Sequence, residues 1–203
     1  MIEMENLLSL RERKKDATRQ SLLRVANRHF HAKGFEATTI DEICDEVGIS
    51  RRTFFRYLPN KEALVFPHRT ERLGRLIRFL KEASPGENPF DSLRRATSVF
   101  AREYMENRKQ LLVQQKLIQS SPELLAREHE IDRDWEAAMA QSFRERRGPG
   151  HASELRARVL AGATIGVIRA TMRHWFSTGG KANLDKLGCE ALDCLERGFA
   201  VED

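Results

Sequence analysis

Residues 38–64 of this chain read TTIDEICDEVGISRRTFFRYLPNKEAL, and this stretch decides the fold. Thr39 and Glu42 have the spacing of a capping box, which predicts a helix that begins here and ends at Gly48. Gly48 can adopt the positive φ that a tight turn requires. Ser50 is a good N-cap for a second short helix, which ends at the next proline. The pattern predicts two short helices joined by a tight turn.

The remainder of the chain is also predicted to be helical. Few runs alternate polar and apolar residues as strands do, and glycine and proline fall mainly between helical stretches. The clearest breaks are residues 84–89, SPGENP, and residues 148–150, GPG. One helix is expected over about 9–33 and another over about 61–83, with Pro67 near its start or kinking it. The fold class is therefore all-α, with about nine helices.

The expected helices divide unequally, and so does the charge. We expect a small three-helix unit at residues 1–60 and a larger helical bundle at residues 61–203. The formal net charge is +5, with 12 Lys/Arg against 9 Asp/Glu in residues 1–61 and 23 against 21 in residues 62–203. The positive excess is denser at the N-terminal end, which favours an anionic partner for that unit.

Several classes of protein are not predicted. The three cysteines, Cys44, Cys189 and Cys194, have no C-x-x-C spacing, so neither a disulfide framework nor a zinc site follows, and a reducing compartment is the simpler inference. No signal peptide or membrane-length apolar run is visible, so we expect a cytoplasmic protein without a membrane partner. No nucleophile–base pair, metal-ligand cluster or glycine-rich phosphate loop emerges, so neither an enzyme nor a cofactor is predicted.

The second short helix carries basic and aromatic side chains, as a helix that enters a DNA major groove requires. An arginine can bind guanine with two hydrogen bonds, which discriminates between bases by about 1–3 kcal/mol. The residues predicted to reach base edges are Arg51, Arg52, Thr53 and Phe55. Hydroxyl, phenol, ammonium and guanidinium groups near helix starts suit backbone phosphates. The residues predicted to bind phosphates are Thr39, Ser50, Arg56, Tyr57 and Lys61.

The segment from about Thr18 to Leu64 resembles the DNA-binding domain of the TetR family of bacterial transcriptional regulators. The matching positions are Leu22, Ala26, Phe30, Gly34-Phe35, Thr38-Thr39, Ile43, Gly48-Ile49-Ser50, Thr53, Tyr57, Lys61-Glu62 and Leu64. The resemblance implies an all-helical homodimer whose C-terminal bundle binds a small molecule. It also implies a repressor that binds a double-stranded, palindromic DNA operator and is released by the ligand.

Three positions depart from the family pattern. Arg52 stands where a small residue is common, and Phe55 stands where a tyrosine is common, which removes one phosphate contact and leaves an apolar contact. His29 occupies a position that is usually apolar, and we interpret it as a packing or solvent-exposed residue. A basic run, RERKK at residues 11–15, precedes the core of the first helix. Two readings stay open for it: an arm that reaches phosphates or the minor groove, and a solvated first turn.

Large side chains of the bundle are candidates for a ligand pocket, although most such residues form ordinary core. The candidates are Phe100, Tyr104, Leu117, Trp135, Met139, Met172 and Trp175. The RERKK run and the core SRRTFFRY are similar to a subgroup associated with acyl-CoA-like ligands, so a hydrophobic or acyl-CoA-like inducer is suggested.

A stripe of small residues in the penultimate helix, together with apolar residues of the last helix, predicts a dimer seam. The residues proposed for it are Gly162, Gly166, Ala170, Leu192, Leu195 and Phe199. The alternative is close packing inside one subunit. For the whole protein, the rival to a DNA-binding regulator is a helical interaction module that docks an acidic protein through its basic surface.

Overall fold

The structure is a computed structural model that describes residues 10–82, 87–146 and 154–198. These residues contain α-helices, one 3₁₀ turn and no strand, so the all-α prediction is confirmed. The α-helices are α1 (Leu10–Lys33), α2 (Ile40–Val47), α3 (Arg51–Tyr57), α4 (Arg69–Lys81), α5 (Pro89–Glu106), α6 (Arg108–Gln119), α7 (Pro122–Arg146), α8 (Glu154–Ser177) and α9 (Leu184–Arg197), and the 3₁₀ turn is Glu62–Leu64.

Residues on either side of the turn between α2 and α3 form the helix caps that the sequence predicts. Thr39 and Glu42 form the predicted capping box, and Gly48 ends α2 in the left-handed region with φ 75°. The Ser50 hydroxyl accepts a hydrogen bond from the backbone N–H of Thr53 and caps α3. These predicted helix ends are confirmed.

The first compact unit has its own apolar core. Leu22 and Ala26 of α1, Ile43 of α2 and Phe54 of α3 are fully buried. Phe30 is almost completely buried, and the centroid of its ring lies 5.3 Å from that of Phe35. Burial of each large apolar side chain stabilises a fold by about 1.5–3 kcal/mol, so these contacts hold the two short helices against α1.

The prediction of one continuous helix from about Lys61 to residue 83 is wrong. The chain instead forms the 3₁₀ turn Glu62–Leu64, then a break, and α4 begins at Arg69. Pro67 explains the break, because it lacks a backbone N–H and its ring clashes with a continuing helix. Burial of Leu64 and Val65 fixes the turn against the core of the first unit.

The chain divides into two compact units. The first comprises residues 1–67 and 117–124, of which the structure describes 10–67 and 117–124; the second holds the remainder. The first unit thus runs past the boundary expected after residue 60 and takes in the end of α6 and the start of α7. The functional division at residues 60 and 61 stays a prediction.

In the second unit, α5 and α9 pack closely. A Cβ at Gly188 would lie 2.4 Å from the Thr97 methyl group, so only glycine fits this crossing without a shift. The Arg94 guanidinium binds Asp193 at 2.5 Å and also pairs with Glu196. The last helix, α9, ends at Arg197 before Gly198.

Candidate nucleic-acid interface

The outer face of α3 presents charged and aromatic side chains to solvent. Arg51, Arg52, Phe55 and Arg56 are exposed, and Thr53 is half-buried. Phe55 is 47% exposed, which is unusual for a large apolar side chain, and its ring packs edge-on against the buried ring of Phe54 at 5.3 Å. The four residues predicted to reach base edges therefore lie on one short helix with their side chains at least partly accessible.

Arg51 has a carboxylate neighbour. Its Nη1 donates to Oδ2 of Asp41 at 3.0 Å, and both side chains are more than half exposed. A pair this exposed contributes at most about 1 kcal/mol, so the guanidinium can leave it to bind another group. The sequence did not indicate this pair, because it joins the first turn of α2 to the first turn of α3.

Two of the four carboxylates of α2 pair with basic side chains of α1. Lys33 pairs with Glu42, and both Arg28 and His29 pair with Glu46. His29 Nε2 lies 2.7 Å from Glu46 Oε2, a hydrogen-bond partner that the interpretation of His29 as packing or solvent-exposed did not include. The carboxylates of α2 therefore add less negative charge beside α3 than the sequence suggests.

Two of the predicted phosphate ligands already cap helices. The Thr39 hydroxyl accepts from the Glu42 backbone N–H at 3.3 Å, and the Ser50 hydroxyl accepts from the Thr53 backbone N–H at 3.2 Å. Hydrogen bonds from Lys33 and from the backbone and side chain of Thr39 lower the pKa of Glu42 to about 2. These hydroxyls hold the helix starts in place, and a phosphate role for them stays a prediction.

Lys61 has a structural role that sequence reasoning missed. Its Nζ donates to the carbonyl oxygens of Phe35 at 3.0 Å and Thr38 at 3.2 Å, and it lies 4.0 Å from the centroid of the Phe35 ring. An ammonium has three donors, so one remains for a phosphate. Lys61 secures the turn between α1 and α2, the segment that sets where α2 begins.

Tyr57 and Arg56 form a cationic end to α3. The Arg56 guanidinium lies 5.2 Å from the centroid of the Tyr57 ring. Hydrogen bonds from the side chains of Arg56 and Thr18, and the positive charges of Arg56 and Lys15, lower the pKa of the Tyr57 phenol. A phenol among positive charges is a good donor to an anionic oxygen.

The predicted pocket residues do not meet in one place. Met139 is fully buried in a cluster around α4, α5, α7 and α8, and Phe100 and Trp135 pack against it. Trp175 is fully buried in another cluster, against which Tyr104 and Met172 pack. Leu117 belongs to the first compact unit, apart from the other six.

Trp175 and Trp135 differ in how their indole N–H groups are satisfied. Trp175 Nε1 donates to the carbonyl oxygen of Ala182 at 3.0 Å, which marks it as a structural core residue. Trp135 Nε1 is buried and has no acceptor among the residues that the structure describes, and the same holds for the Ser142 hydroxyl. A buried donor without a partner costs about 1–3 kcal/mol, so each of these two groups is suited to a polar ligand atom or a water.

A polar groove lies between α7 and α8, and the prediction included none of its residues. Its volume is about 380 Å³, and it is lined by Ala126, His129, Glu130, Asp132, Arg133, Glu136, Ile165 and Arg169. Arg169 pairs with Asp132 at 3.3 Å. Burial raises the pKa of Asp132 and of nearby Glu128, one turn earlier in α7.

The predicted dimer residues of α8 share an accessible face with two residues that the prediction omitted. Gly166 and Ala170 are exposed and Gly162 is half-buried, although a Cβ at Gly162 would lie 3.3 Å from Glu136. On the same side of the helix, Leu155 is 69% exposed and Val159 is 60% exposed. The spacing of these residues forms one apolar stripe along α8.

The predicted dimer residues of α9 are less accessible. Leu192 is buried in the core cluster of its own subunit, Leu195 is half-buried, and Phe199 lies outside the described residues. Within the part of the chain that the structure describes, no helix is long and apolar enough to cross a membrane.

Two family profiles match the chain. Residues 22–66 match the profile of bacterial regulatory proteins of the tetR family, and residues 87–200 match that of the MftR C-terminal domain. The second match alone spans more than half of the chain. The resemblance inferred from residues 18–64 is confirmed.

Relatives agree with these matches. The chain is 27% identical over 191 residues to a Mycobacterium tuberculosis protein named as a mycofactocin biosynthesis transcriptional regulator, MftR, covering 92% of this chain and 93% of that protein. It is 26% identical over 173 residues to the transcriptional regulator TcmR of Streptomyces glaucescens, covering 82% of this chain and 76% of TcmR. Both relatives are named as regulators of transcription, and neither as an enzyme.

Solved structures share the fold. The fatty acid degradation regulator FadR of Bacillus halodurans superposes with a TM-score of 0.61 at 17% identity, covering 90% of this chain and 96% of FadR. The Thermus thermophilus repressor FadR, solved with lauroyl-CoA, gives a TM-score of 0.55 at 23% identity, covering 91% and 96%. Given the two family profiles and the relatives that span most of its length, the chain belongs to the tetR family of bacterial transcriptional regulators.

Proposed function

We propose that this protein is a homodimeric repressor that binds a palindromic DNA operator in the cytoplasm and leaves it when a small molecule binds the second compact unit. The observation that carries the proposal is the exposed face of α3, where Arg52, Phe55 and Arg56 project beside a turn fixed by Gly48. An exposed aromatic ring between two arginines suits the floor of a major groove, which offers guanine acceptors and thymine methyl groups.

The side chains of α3 have distinct roles in this proposal. Arg51 and Arg52, in the first turn, read guanine edges, because the N-terminal residues of a recognition helix contact base edges. Thr53 and Phe55 make the smaller polar and apolar base contacts. In the free protein Asp41 lies 3.0 Å from Arg51, and this exposed pair is weak enough for the guanidinium to leave it for a base.

Phosphate contacts fix the register of α3 on the duplex in this proposal. Arg56 and Tyr57 at the end of α3 supply charged and phenolic donors, and Lys61 supplies its remaining N–H. Thr39 and Ser50 lie at helix starts, where free backbone N–H groups favour an anion, while their hydroxyls hold the caps.

Dimerisation through α8 places two copies of α3 on one duplex. The exposed apolar stripe of Leu155, Val159, Gly162, Gly166 and Ala170 supports this surface, because two exposed branched side chains beside small residues allow another helix to approach closely. In this proposal the two α3 helices enter successive major grooves about 34–36 Å apart. The sequence assigns Leu195 and Phe199 to the same seam, whereas Leu192 is buried in the core of its own subunit.

The effector enters the second unit in this proposal, and acyl-CoA-like molecules are the first class to test. Two FadR regulators of the same fold were solved with lauroyl-CoA and with stearoyl-CoA. Trp135 is the predicted pocket residue that best suits a ligand, because its buried indole N–H lacks an acceptor among the described residues. An effector that binds better to a conformation with the wrong spacing of α3 shifts the population away from DNA.

Selection of binding sites from random duplex DNA by the full-length protein tests the function. We expect enrichment of a palindromic sequence whose half-sites lie about one helical turn, or a multiple of it, apart. Arg51→Ala should relax the preference at one base position in each half-site while general affinity persists. A folded dimer that enriches no sequence at low salt contradicts the proposal.

A further inference from the structure

The basic run at residues 11–15 is part of a regular helix. Residues 10–15 belong to α1, which continues without a break to Lys33. The run therefore does not form an extended arm of the kind that lies in a minor groove, which was one of the two readings of the sequence. Within it, Lys14 and Lys15 are exposed.

The first turns of α1 lie beside the end of α3. Lys14 and Lys15 precede Thr18 by four and three residues, so the three side chains share one side of the helix. The Thr18 hydroxyl donates to the Lys14 carbonyl oxygen at 2.9 Å, which fixes its position on the helix. The Thr18 side chain also hydrogen-bonds the phenol of Tyr57, and Lys15 is close enough to act on that phenol electrostatically.

These contacts join two sources of positive charge into one surface, which we call the α1–α3 patch and define as Lys14, Lys15, Thr18, Arg56 and Tyr57. Arg56 lies over the Tyr57 ring at 5.2 Å, so its charge is fixed at the same place. Asp16, which follows Lys15 in the chain, is also exposed and carries one opposing charge.

We infer that Lys14 and Lys15 bind phosphates of duplex DNA that flank the groove occupied by α3, and so lengthen the contact of each protomer beyond the recognition helix. The inference rests on the proposed function. Lysine ammonium groups are compact charges that bind phosphate without reading bases, and the patch adjoins Tyr57, which is itself suited to phosphate. DNA is favoured over an acidic protein because the patch continues directly into the exposed basic and aromatic face of α3.

The test compares salt dependence of binding. The paired variant Lys14→Gln/Lys15→Gln removes two charges and keeps good helix formers. The probe is a labelled duplex that carries the site selected by the wild-type protein, and its affinity is measured from low to moderate salt. The slope of log K against log[salt] should fall by about 0.9 for each lost phosphate contact, which is about 2 for each protomer, while the preference among bases is unchanged.

Two further variants separate charge from structure. Lys14→Arg/Lys15→Arg keeps the charges and should retain the wild-type slope. Lys181→Gln/Lys186→Gln removes two exposed charges from the second unit and should also leave the slope unchanged. If the Gln pair does not fold, Lys15→Gln alone should lower the slope by about half as much.

The possible outcomes distinguish a failure of the inference from a failure of the proposed function. A wild-type protein that selects no sequence contradicts the proposed function. A wild-type protein that selects a site, together with a Gln pair of unchanged slope and affinity, overturns the inference and leaves the function intact. A Gln pair that alters base preference at an unchanged slope also overturns it, because the lysines would then act through the position of α3.

Discussion

The two compact units bury their polar groups differently. In the first unit, the buried Thr38 hydroxyl donates to the Gly34 carbonyl oxygen at 2.8 Å, and the half-buried Lys61 donates to two carbonyl oxygens. In the second unit, Trp135 Nε1 and the Ser142 hydroxyl on α7 are buried with no partner among the described residues. A small unit that must keep a fixed recognition surface satisfies these groups itself. The second unit satisfies other buried groups, such as Trp175 Nε1, but leaves these two open, and a ligand of the proposed kind would find hydrogen-bond partners there.

The largest expected effect comes from the core of the first unit. Phe54→Ala should lower the free energy of unfolding of that unit by about 3–5 kcal/mol, because the side chain is fully buried. Hydrogen exchange of the α1–α3 amides measures this locally. The matched control is Phe55→Ala on the same helix, which should cost less than about 1.5 kcal/mol, the worth of one aromatic pair, while weakening DNA binding. If both variants lose the same free energy of unfolding, the buried position of Phe54 and the exposed position of Phe55 are contradicted.

The next largest effect is on base discrimination. Arg52→Ala should reduce the preference at one base position by about 1–3 kcal/mol without lowering the thermal midpoint, because Arg52 is exposed. Competition binding with single-base variants of the selected site measures it. Arg158→Ala, an exposed arginine of α8, is the control and should leave discrimination unchanged. An equal loss of affinity for all of these sites would show that Arg52 binds phosphates and does not read a base.

The turn between α2 and α3 should be sensitive to a single methyl group. Gly48→Ala should cost about 1–2 kcal/mol, because φ is 75° and a non-glycine residue is strained in that region. Gly74→Ala provides the contrast in the second unit. Gly74 lies inside α4 with open space around it, so alanine should stabilise the protein by about 0.5–1 kcal/mol. Chemical denaturation of both variants tests whether the signs are opposite.

The smallest effect is a pH dependence in the first unit. The pKa of Glu42 is lowered from 4.5 to about 2, so the unfolded state binds a proton more readily than the folded state. The contribution of Glu42 should be complete above about pH 4.5 and lost as the pH falls towards 2. Glu42→Gln should flatten the stability profile of the first unit between these values. Parallel wild-type and Glu42→Gln profiles would show that the capping box and Lys33 do not perturb this carboxyl.

The first unit could be predicted well because its signals are local. Thr39, Gly48 and Ser50 each set a helix end through contacts within a few residues, so the sequence alone specifies them. The pairing of Arg51 with Asp41 and the contacts of Lys61 could not be predicted, because they depend on where separate helices meet. A kink at Pro67 was one of the two predicted possibilities, but not the full break that the structure shows. The proline could begin or interrupt a helix, and burial of Leu64 decides between them.

The second unit could be predicted only in outline. Its apolar pattern shows which residues face inward but not which cluster they join, so Met139 and Trp175 were grouped although they lie in separate clusters. Leu117 was grouped with them although it packs with the first unit. Leu155 and Val159 were not among the predicted dimer residues, because a pattern of small residues does not include them and their exposure is visible only in the folded chain.

The most direct test of the central claim, that α3 reads DNA, is the affinity of the full-length protein for its selected duplex against a scrambled duplex, for wild type and for Arg51→Ala/Arg52→Ala. We predict that the wild type prefers the selected duplex by about 10³-fold or more, and that the double variant loses most of this preference while it still binds DNA at low salt. A double variant that stays folded and keeps the full preference would contradict the assignment of α3 as the recognition helix.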